Sequence, residues 1–446
     1  MLANRGSMMK KLVIAGAGAY SFAPAILEDL LVRYRLGAEL WLVDADLDMA
    51  ELTARAADAI AKSFGLSTQI YYTTQIEKAI PGADAVIVCA DFLDEEAWKL
   101  DYEALDEVGL GKQARLYGGL GGVMQTLRAC GFIAEIAEQM RASCPDEAFL
   151  LLCDKGYGGL HLCRACEAAR IMGVKAYGLS ANAEQTQRRL ALYLGIPEEK
   201  LQVVTGGLSG FSWVSVLKDR TTGKDLIPRC KTEMAEDPRE ALAAQYIDWY
   251  GAIPAGDRVM QYEQLEDTDL NPRRTVVYSG IGAADYEIRK KDLADLAVYG
   301  LGHDTGFAAW QHMRKSSLRS VHPIRVLQAL LGNDEYRTRN LVYPCDGAVK
   351  GVAGKRYVEG PAVIKGSAVR GEECALTIDV QDTMGQLSLC NLLYAEAASK
   401  GSRDALRQGL EIDPALMGVD LLYAEDLLDG MMRRQADRLT RFDLEA

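Results

Sequence analysis

Residues Lys11-Leu-Val-Ile-Ala-Gly16-Ala-Gly18-Ala19-Tyr20-Ser21, followed by Leu42-Val-Asp44-Ala-Asp46, constrain the fold more than any other part of the chain. An apolar run makes a buried strand, and two glycines turn it into the amphipathic run Ala25–Val32. Gly16 permits the tight turn. Gly18 lets backbone N–H groups approach an anion lying on the helix N-terminus, where the dipole favours negative charge. Asp44, closing the second strand, is placed to accept hydrogen bonds from ribose hydroxyls, and its charge would repel a 2′-phosphate. The third glycine of the usual fingerprint is Ser21. A lone G-x-G is weak, because tight strand-to-helix turns use glycine anyway. Strand, helix and acid together point to NAD, with Gly16, Gly18, Ala19, Tyr20, Ser21, Asp44 and Ala90 as the expected cofactor-binding residues.

Apolar β-type runs at Lys11–Ala15, Leu40–Val43, Ala85–Cys89, Phe149–Cys153 and Lys175–Leu179 alternate with helical patterns at Leu47–Phe64, Gly121–Arg141 and Gly159–Met172. This alternation predicts an α/β fold with a Rossmann-type, doubly wound parallel sheet and a ligand crevice at the carboxyl ends of its strands. After residue 195 the pattern is mixed. Strand-like runs (Leu201–Thr205, Trp213–Leu217, Leu341–Val352, Arg356–Val358) sit among helical ones (Ala235–Tyr250, Val321–Leu331, Met384–Lys400, Ala415–Leu439), which suggests an α+β second domain. The expected division is 1–195 for the NAD-binding domain and 196–446 for an α+β substrate and oligomerisation domain, welded rather than tethered.

A net charge of -13 without a basic stripe argues against nucleic acid and anionic membrane surfaces as partners. No apolar run reaches a membrane span and no signal peptide precedes the first strand, so the expectation is a cytoplasmic protein. The ten cysteines are scattered, many within apolar elements, as buried reduced thiols are. Cys163-Arg-Ala-Cys166 has C-x-x-C spacing but no second ligand pair, and reads as structural.

Two further segments carry chemistry-bearing residues. Gly111-Lys-Gln113-Ala-Arg115-Leu-Tyr117-Gly118-Gly119-Leu-Gly121-Gly122 precedes a long helix, and its glycines suit either close approach to a cofactor or sugar, or a flexible capped loop. Ile253-Pro-Ala-Gly256-Asp257-Arg258-Val-Met-Gln-Tyr262-Glu263 follows an aromatic-ended helix and places an acid, a base and a tyrosine on a turn. A surface Asp–Arg turn is the plain alternative.

Taken in order along the chain, these segments resemble family 4 glycoside hydrolases, the NAD-dependent group that departs from the two-carboxylate mechanism. The resemblance runs from Lys10 to Leu439. It rests on Gly16–Pro24, Leu42–Asp44, Gln113 through Arg128, Leu151-Leu-Cys-Asp154, Gly178-Leu-Ser180 and Gly206-Gly207-Leu-Ser-Gly210-Phe-Ser-Trp213. It continues through Ala255-Gly256-Asp257-Arg258, Asn340-Leu-Val-Tyr-Pro344 and Tyr357-Val-Glu-Gly-Pro361. It implies a fold shared with lactate and malate dehydrogenases and an oxidative elimination on a small-molecule glycoside. There, hydride leaves C3 of the sugar for NAD, the C2 proton becomes acidic, the glycosidic oxygen leaves C1, water adds, and the hydride returns. Asp257 would assist the leaving group. Gln113, Arg115, Asn182 and Arg258 are the expected substrate-binding residues. Tyr262 is a candidate C2 base, with Tyr250, Tyr117 and Tyr157 as alternatives. A homodimer or homotetramer is also implied.

The sequence departs from that pattern at the metal. Family members hold manganese with a Cys after the Gly-Leu strand end and a His in a Gly-x-Asn-His loop. Here those positions are Ser180 and Gly210, and none of the four histidines lies in either segment. Asp154-Lys155 stands where Asn-Pro is usual. The expectation is therefore catalysis without the metal, or with altered metal use, and with Lys155 supplying positive charge near O3; otherwise Lys155 pairs with Asp154 or reaches solvent. The alternative functions are an NAD-dependent dehydrogenase of a sugar or 2-hydroxy acid, and an inactive NAD-binding homologue.

Overall fold

The computed structural model describes residues 10–19, 21–90, 92, 94–154, 159–256, 258–265, 281–316, 321–332 and 334–444, without the side chains of 258, 259 and 281–285. Six strands form the parallel part of its sheet: β1 (Lys11–Ala15), β2 (Glu39–Val43), β3 (Ile70–Thr73), β4 (Ala85–Val88), β5 (Phe149–Asp154) and β6 (Lys175–Ser180). They lie in the order β3-β2-β1-β4-β5-β6, so the chain reverses direction of travel across the sheet between β1 and β4. In open sheets of this kind a ligand crevice opens at that point, outside the carboxyl ends of the strands. Leu12, Val13, Ile14, Val86, Ile87, Leu150, Leu151 and Leu152 are all fully buried, as strands covered by helices on both faces require.

The second half extends the same sheet. β7 (Leu201–Leu208) and β8 (Phe211–Asp219) make an antiparallel hairpin, while β9 (Tyr336–Pro344), β10 (Tyr357–Lys365) and β11 (Ala368–Gly371) complete it. The order continues β6-β9-β10-β7-β8, with β11 on β10. The junction is antiparallel, with Gly178 of β6 opposite Val342 of β9. A Cβ at Gly178 would sit 2.8 Å from the Val342 Cβ, so only glycine allows this approach.

Among the helices, Leu47–Ser63 is capped by Asp46, whose side chain accepts from Met49 N–H at 3.2 Å. The helix Gly119–Ser143 packs against Leu162–Ile171 and Ile378–Lys400. The fully buried Arg164 joins all three, donating to Thr126 Oγ1 at 2.7 Å and Asn391 Oδ1 at 2.8 Å and lying 5.0 Å above the Tyr394 ring.

Several elements differ from expectation. The run Ala235–Tyr250 is two helices, Ile227–Glu236 and Ala241–Tyr250, because Pro238 cannot continue the first. The long pattern Ala415–Leu439 contracts to Leu421–Arg433, started by an Asp420 cap. The strand expected over Leu341–Val352 begins at Tyr336 and stops at Pro344. Both cysteines of Cys163–Cys166 are buried with their thiols pushed up by desolvation, and Cys163 Sγ accepts from Ser209 N–H at 3.2 Å. Among the described residues no helix is long and apolar enough to cross a membrane.

Candidate functional site

The turn after β1 is built as its glycines require. Gly16 has φ +82°, and a Cβ there would collide with the Ala90 backbone at the end of β4. Gly16 and Ala17 N–H groups donate to Val43 O at 2.9 and 3.0 Å, tying the turn to the end of β2. Gly18 N–H donates to Asp44 Oδ2 at 2.9 Å and Asp46 N–H to Asp44 Oδ1 at 3.1 Å. A carboxylate oxygen has two lone pairs, so each retains acceptor capacity for a ribose hydroxyl. Ala19 and Ser21 continue this turn, half-buried, while Tyr20 lies outside the described residues. Gly16, Gly18, Asp44 and Ala90 are thus brought together at the switch point, and these groups fit a dinucleotide.

A helix that the sequence patterns did not reveal reaches the same place. Ile281–Tyr299 packs along Leu47–Ser63. Tyr286 donates to Asp46 Oδ2 at 2.7 Å, which holds the Asp46 carboxyl below its usual range. Lys290 donates to Asp48 Oδ2 at 3.0 Å, and Arg289 reaches Gly18 O at 3.5 Å. Leu293 and Leu296 of this helix are buried in the core, but Ile288, Val298 and Tyr299 are exposed among many charges, so periodicity gives little signal for it.

The second pole lies at the ends of β5 and β6. Asp154 is buried, opposite Ser180 in register. Ser180 Oγ donates to Glu359 Oε1 at 3.1 Å and accepts from Asn340 Nδ2 at 2.7 Å. Asn182 Nδ2 also donates to Glu359 Oε1, at 2.7 Å. Asn182 lies against the next motif: a Cβ on Gly256 would be 3.0 Å from its Cγ. Lys155 and Asp257 lie outside the described residues, as does the side chain of Arg258.

The remaining expected residues face protein. Arg115 donates through Nη1 to Glu263 O at 3.0 Å and Leu265 O at 2.9 Å, while Glu263 Oε2 accepts from the N–H groups of Leu116 and Tyr117. Gln113 donates to Ala415 O at 3.2 Å. The glycines beside them serve close backbone packing: a Cβ at Gly118 would strike Glu263 O, and one at Gly121 would lie 2.6 Å from Arg115 O. Tyr262 is buried and stacked on Tyr246, with ring centroids 4.6 Å apart. Tyr117 is also buried, and its hydroxyl accepts from Gly159 N–H at 3.3 Å.

The described donors do not fit a manganese site. The Ser180 hydroxyl is engaged by Glu359 and Asn340. A side chain at Gly210 would collide with Gln264 Nε2, which donates to Gly210 O at 2.8 Å. The nearby His161 is fully committed: Nδ1 accepts from Arg164 N–H at 3.4 Å, and the other nitrogen bonds Gln264 Oε1 at 2.9 Å. Burial holds that imidazole neutral, with its pKa lowered to about 3. Among the described residues no group of three His, Cys, Asp or Glu side chains is placed to hold a metal ion.

Residues 11–154 match the family 4 glycosyl hydrolases, and residues 206–416 match the C-terminal domain of the same family. The chain is 23% identical to an alpha-glucosidase of Erwinia rhapontici, over 96% of this chain and 98% of that protein. It shares the fold of a 6-phospho-alpha-glucosidase from gut microorganisms solved with NAD and glucose-6-phosphate, with a TM-score of 0.70, 16% identity, and coverage of 97% of this chain and 100% of the other. A 6-phospho-alpha-glucosidase from gut microorganisms solved with NAD and Mn2+ gives a TM-score of 0.68 at 17% identity, covering 98% and 100% of the two chains. The two family matches together span most of the sequence, and the chain belongs to the family 4 glycosyl hydrolases.

Proposed function

We propose that this chain hydrolyses a small α-glycoside with NAD held at the Gly16–Asp44 turn, and that it does so without manganese. The observation that carries the reading is the turn itself: Gly16 seated against Ala90, and Asp44 accepting from Gly18 N–H, at the switch point of a parallel sheet. Bound NAD supplies a reversible hydride acceptor for a sugar carbon. The protein's part is to hold the sugar at the ends of β5 and β6 and to stabilise the charge that develops on it. The α preference follows the alpha-glucosidase relative.

In this reading Lys155 stands beside the sugar O3, where its ammonium stabilises an oxyanion, and Asp257 assists the leaving group, with Arg258 and Asn182 binding the sugar. Asp154 closes the strand that leads to Lys155. Tyr262 lies in an aromatic stack, whereas the Tyr117 hydroxyl meets the chain at Gly159, four residues beyond Lys155; this favours Tyr117 over Tyr262 as the C2 base. The reading also assigns the NAD site to residues 1–195 and the substrate-closing elements to 196–446, in a cytoplasmic homodimer or homotetramer.

A screen of nitrophenyl glycosides with NAD, run with manganese and with chelator, tests it. Redox-neutral release of nitrophenol from an α-glycoside, undiminished by chelator, is the expected result. Accumulation of NADH with a keto product would instead establish a dehydrogenase.

A further inference from the structure

Glu359 is the least expected charged residue of the site. It lies on β10, 1% exposed, opposite Gly207 of β7 and Val342 of β9. Its Oε1 accepts three hydrogen bonds, from Ser180 Oγ at 3.1 Å, Asn182 Nδ2 at 2.7 Å and Asn340 Nδ2 at 2.8 Å. Its Oε2 has no partner among the described residues, and neither does Asn340 Oδ1. A buried carboxyl with one crowded and one orphaned oxygen is costly to keep unless its geometry is used. Burial, with the nearby Glu184 carboxylate adding to it, pushes the Glu359 carboxyl upward against the lowering effect of its three hydrogen bonds.

The bonds converge from three places. Ser180 closes β6, Asn182 opens the helix Asn182–Leu194, and Asn340 lies on β9. With Nδ2 held by Glu359, the plane of the Asn182 amide is fixed, and the amide packs against Gly256, whose N–H donates to Thr186 Oγ1 at 2.7 Å. Gly256 has φ +69°, so its backbone can follow the face of that amide where other residues could not. The chain from Glu359 through Asn182 to Gly256 spans the two segments from which the proposed chemistry comes.

We propose that Glu359 is a positioning residue of this enzyme: acting through Asn182, it sets the backbone at Gly256 against the end of β6. The inference rests on the glycosidase reading. It assigns Glu359 no contact with substrate, only the alignment of groups that make one. Displacements of about 1 Å in such groups cost on the order of a hundredfold in rate.

The test uses the NAD-loaded enzyme and the nitrophenyl glycoside it turns over best. Glu359→Leu removes the acceptor, and Glu359→Asp withdraws it by a methylene; kcat is expected to fall about 100-fold in the first and about 10-fold or more in the second. NAD affinity, measured by titration, should stay within about twofold, because the Gly16–Asp44 turn is not touched. Glu359→Gln, which keeps an Oε1 acceptor, should restore kcat to within about fivefold of wild type. In an Asn182→Ala background, which is already slow, Glu359→Asp should add less than about a threefold loss. An active wild type whose Glu359→Asp variant keeps kcat within threefold, or whose losses multiply with those of Asn182→Ala, overturns this inference alone. A wild type that releases nitrophenol from no glycoside in the presence of NAD overturns the glycosidase reading and this inference with it.

Discussion

Gly18 donates its backbone N–H to Asp44 at 2.9 Å, so the acid proposed to meet the cofactor's ribose also fixes the turn beside it. Asp44→Ala should therefore weaken NAD binding through both groups, by about 10–100-fold, and reduce the preference over NADP. Titrating each nucleotide against protein fluorescence checks this. Equal NAD affinity in the variant would show that the ribose lies elsewhere.

Gly16 and Gly82 separate two costs of a positive φ. At Gly16, with φ +82°, an added Cβ also meets the Ala90 backbone; at Gly82, with φ +74°, nothing lies within 4 Å. Gly16→Ala is expected to destabilise by about 2–4 kcal/mol and Gly82→Ala by about 1 kcal/mol. Denaturant midpoints compare the two, and equal losses would mean that the β1–β4 contact relaxes freely.

Much of this arrangement is legible in the sequence, for identifiable reasons. β1, β4 and β5 are apolar on both faces, and β1 is followed by glycines with positional meaning, so strand, turn and switch point can all be read. β3 is half-exposed, with Tyr71 and Tyr72 outward, and its four residues are too short for an alternation to register. Ile281–Tyr299 buries Leu293 and Leu296 in the core and adds the Tyr286–Asp46 and Lys290–Asp48 bonds, while Ile288 and Val298 stay exposed, so its docking beside the Gly16–Asp44 turn is a tertiary fact. The roles of Arg115 and Glu263 are hidden similarly, because residues 148 apart in sequence meet through main-chain carbonyls. Glu359 could have been suspected as a lone acid in an apolar strand, but three partners from three elements could not.

Manganese and chelator should leave kcat unchanged within about twofold, because Ser180 and Gly210 offer no competent ligand pair and His161 has both nitrogens engaged. Metal analysis of the purified protein is the direct check. Stoichiometric manganese in the active enzyme would refute the metal-free proposal.

Lys155→Met should lower kcat by about 100–1000-fold with NAD affinity retained, the scale typical of losing one charge-stabilising group at a reacting centre. Steady-state kinetics with a nitrophenyl glycoside measures it. Full turnover would assign Lys155 to solvent or to Asp154.

His161 gives stability a pH dependence of known sign. Its ordinary pKa of 6.5 falls to about 3 in the folded protein. Between those values the unfolded chain binds a proton that the folded one refuses, so stability falls as pH drops through this window, by up to about 1.4 kcal/mol per pH unit from this residue. His161→Gln, less stable near neutrality, should lose stability less steeply between pH 6 and about pH 4. Parallel acid limbs in urea titrations would show that His161 is protonated in the fold.

The antiparallel seam between Gly178 and Val342 makes one continuous backbone slab out of strands from both halves of the chain. A backbone shared in this way opposes hinge bending between the two halves. Any bulkier residue at 178 would push against Val342 and Leu162 and pry the slab apart along that seam.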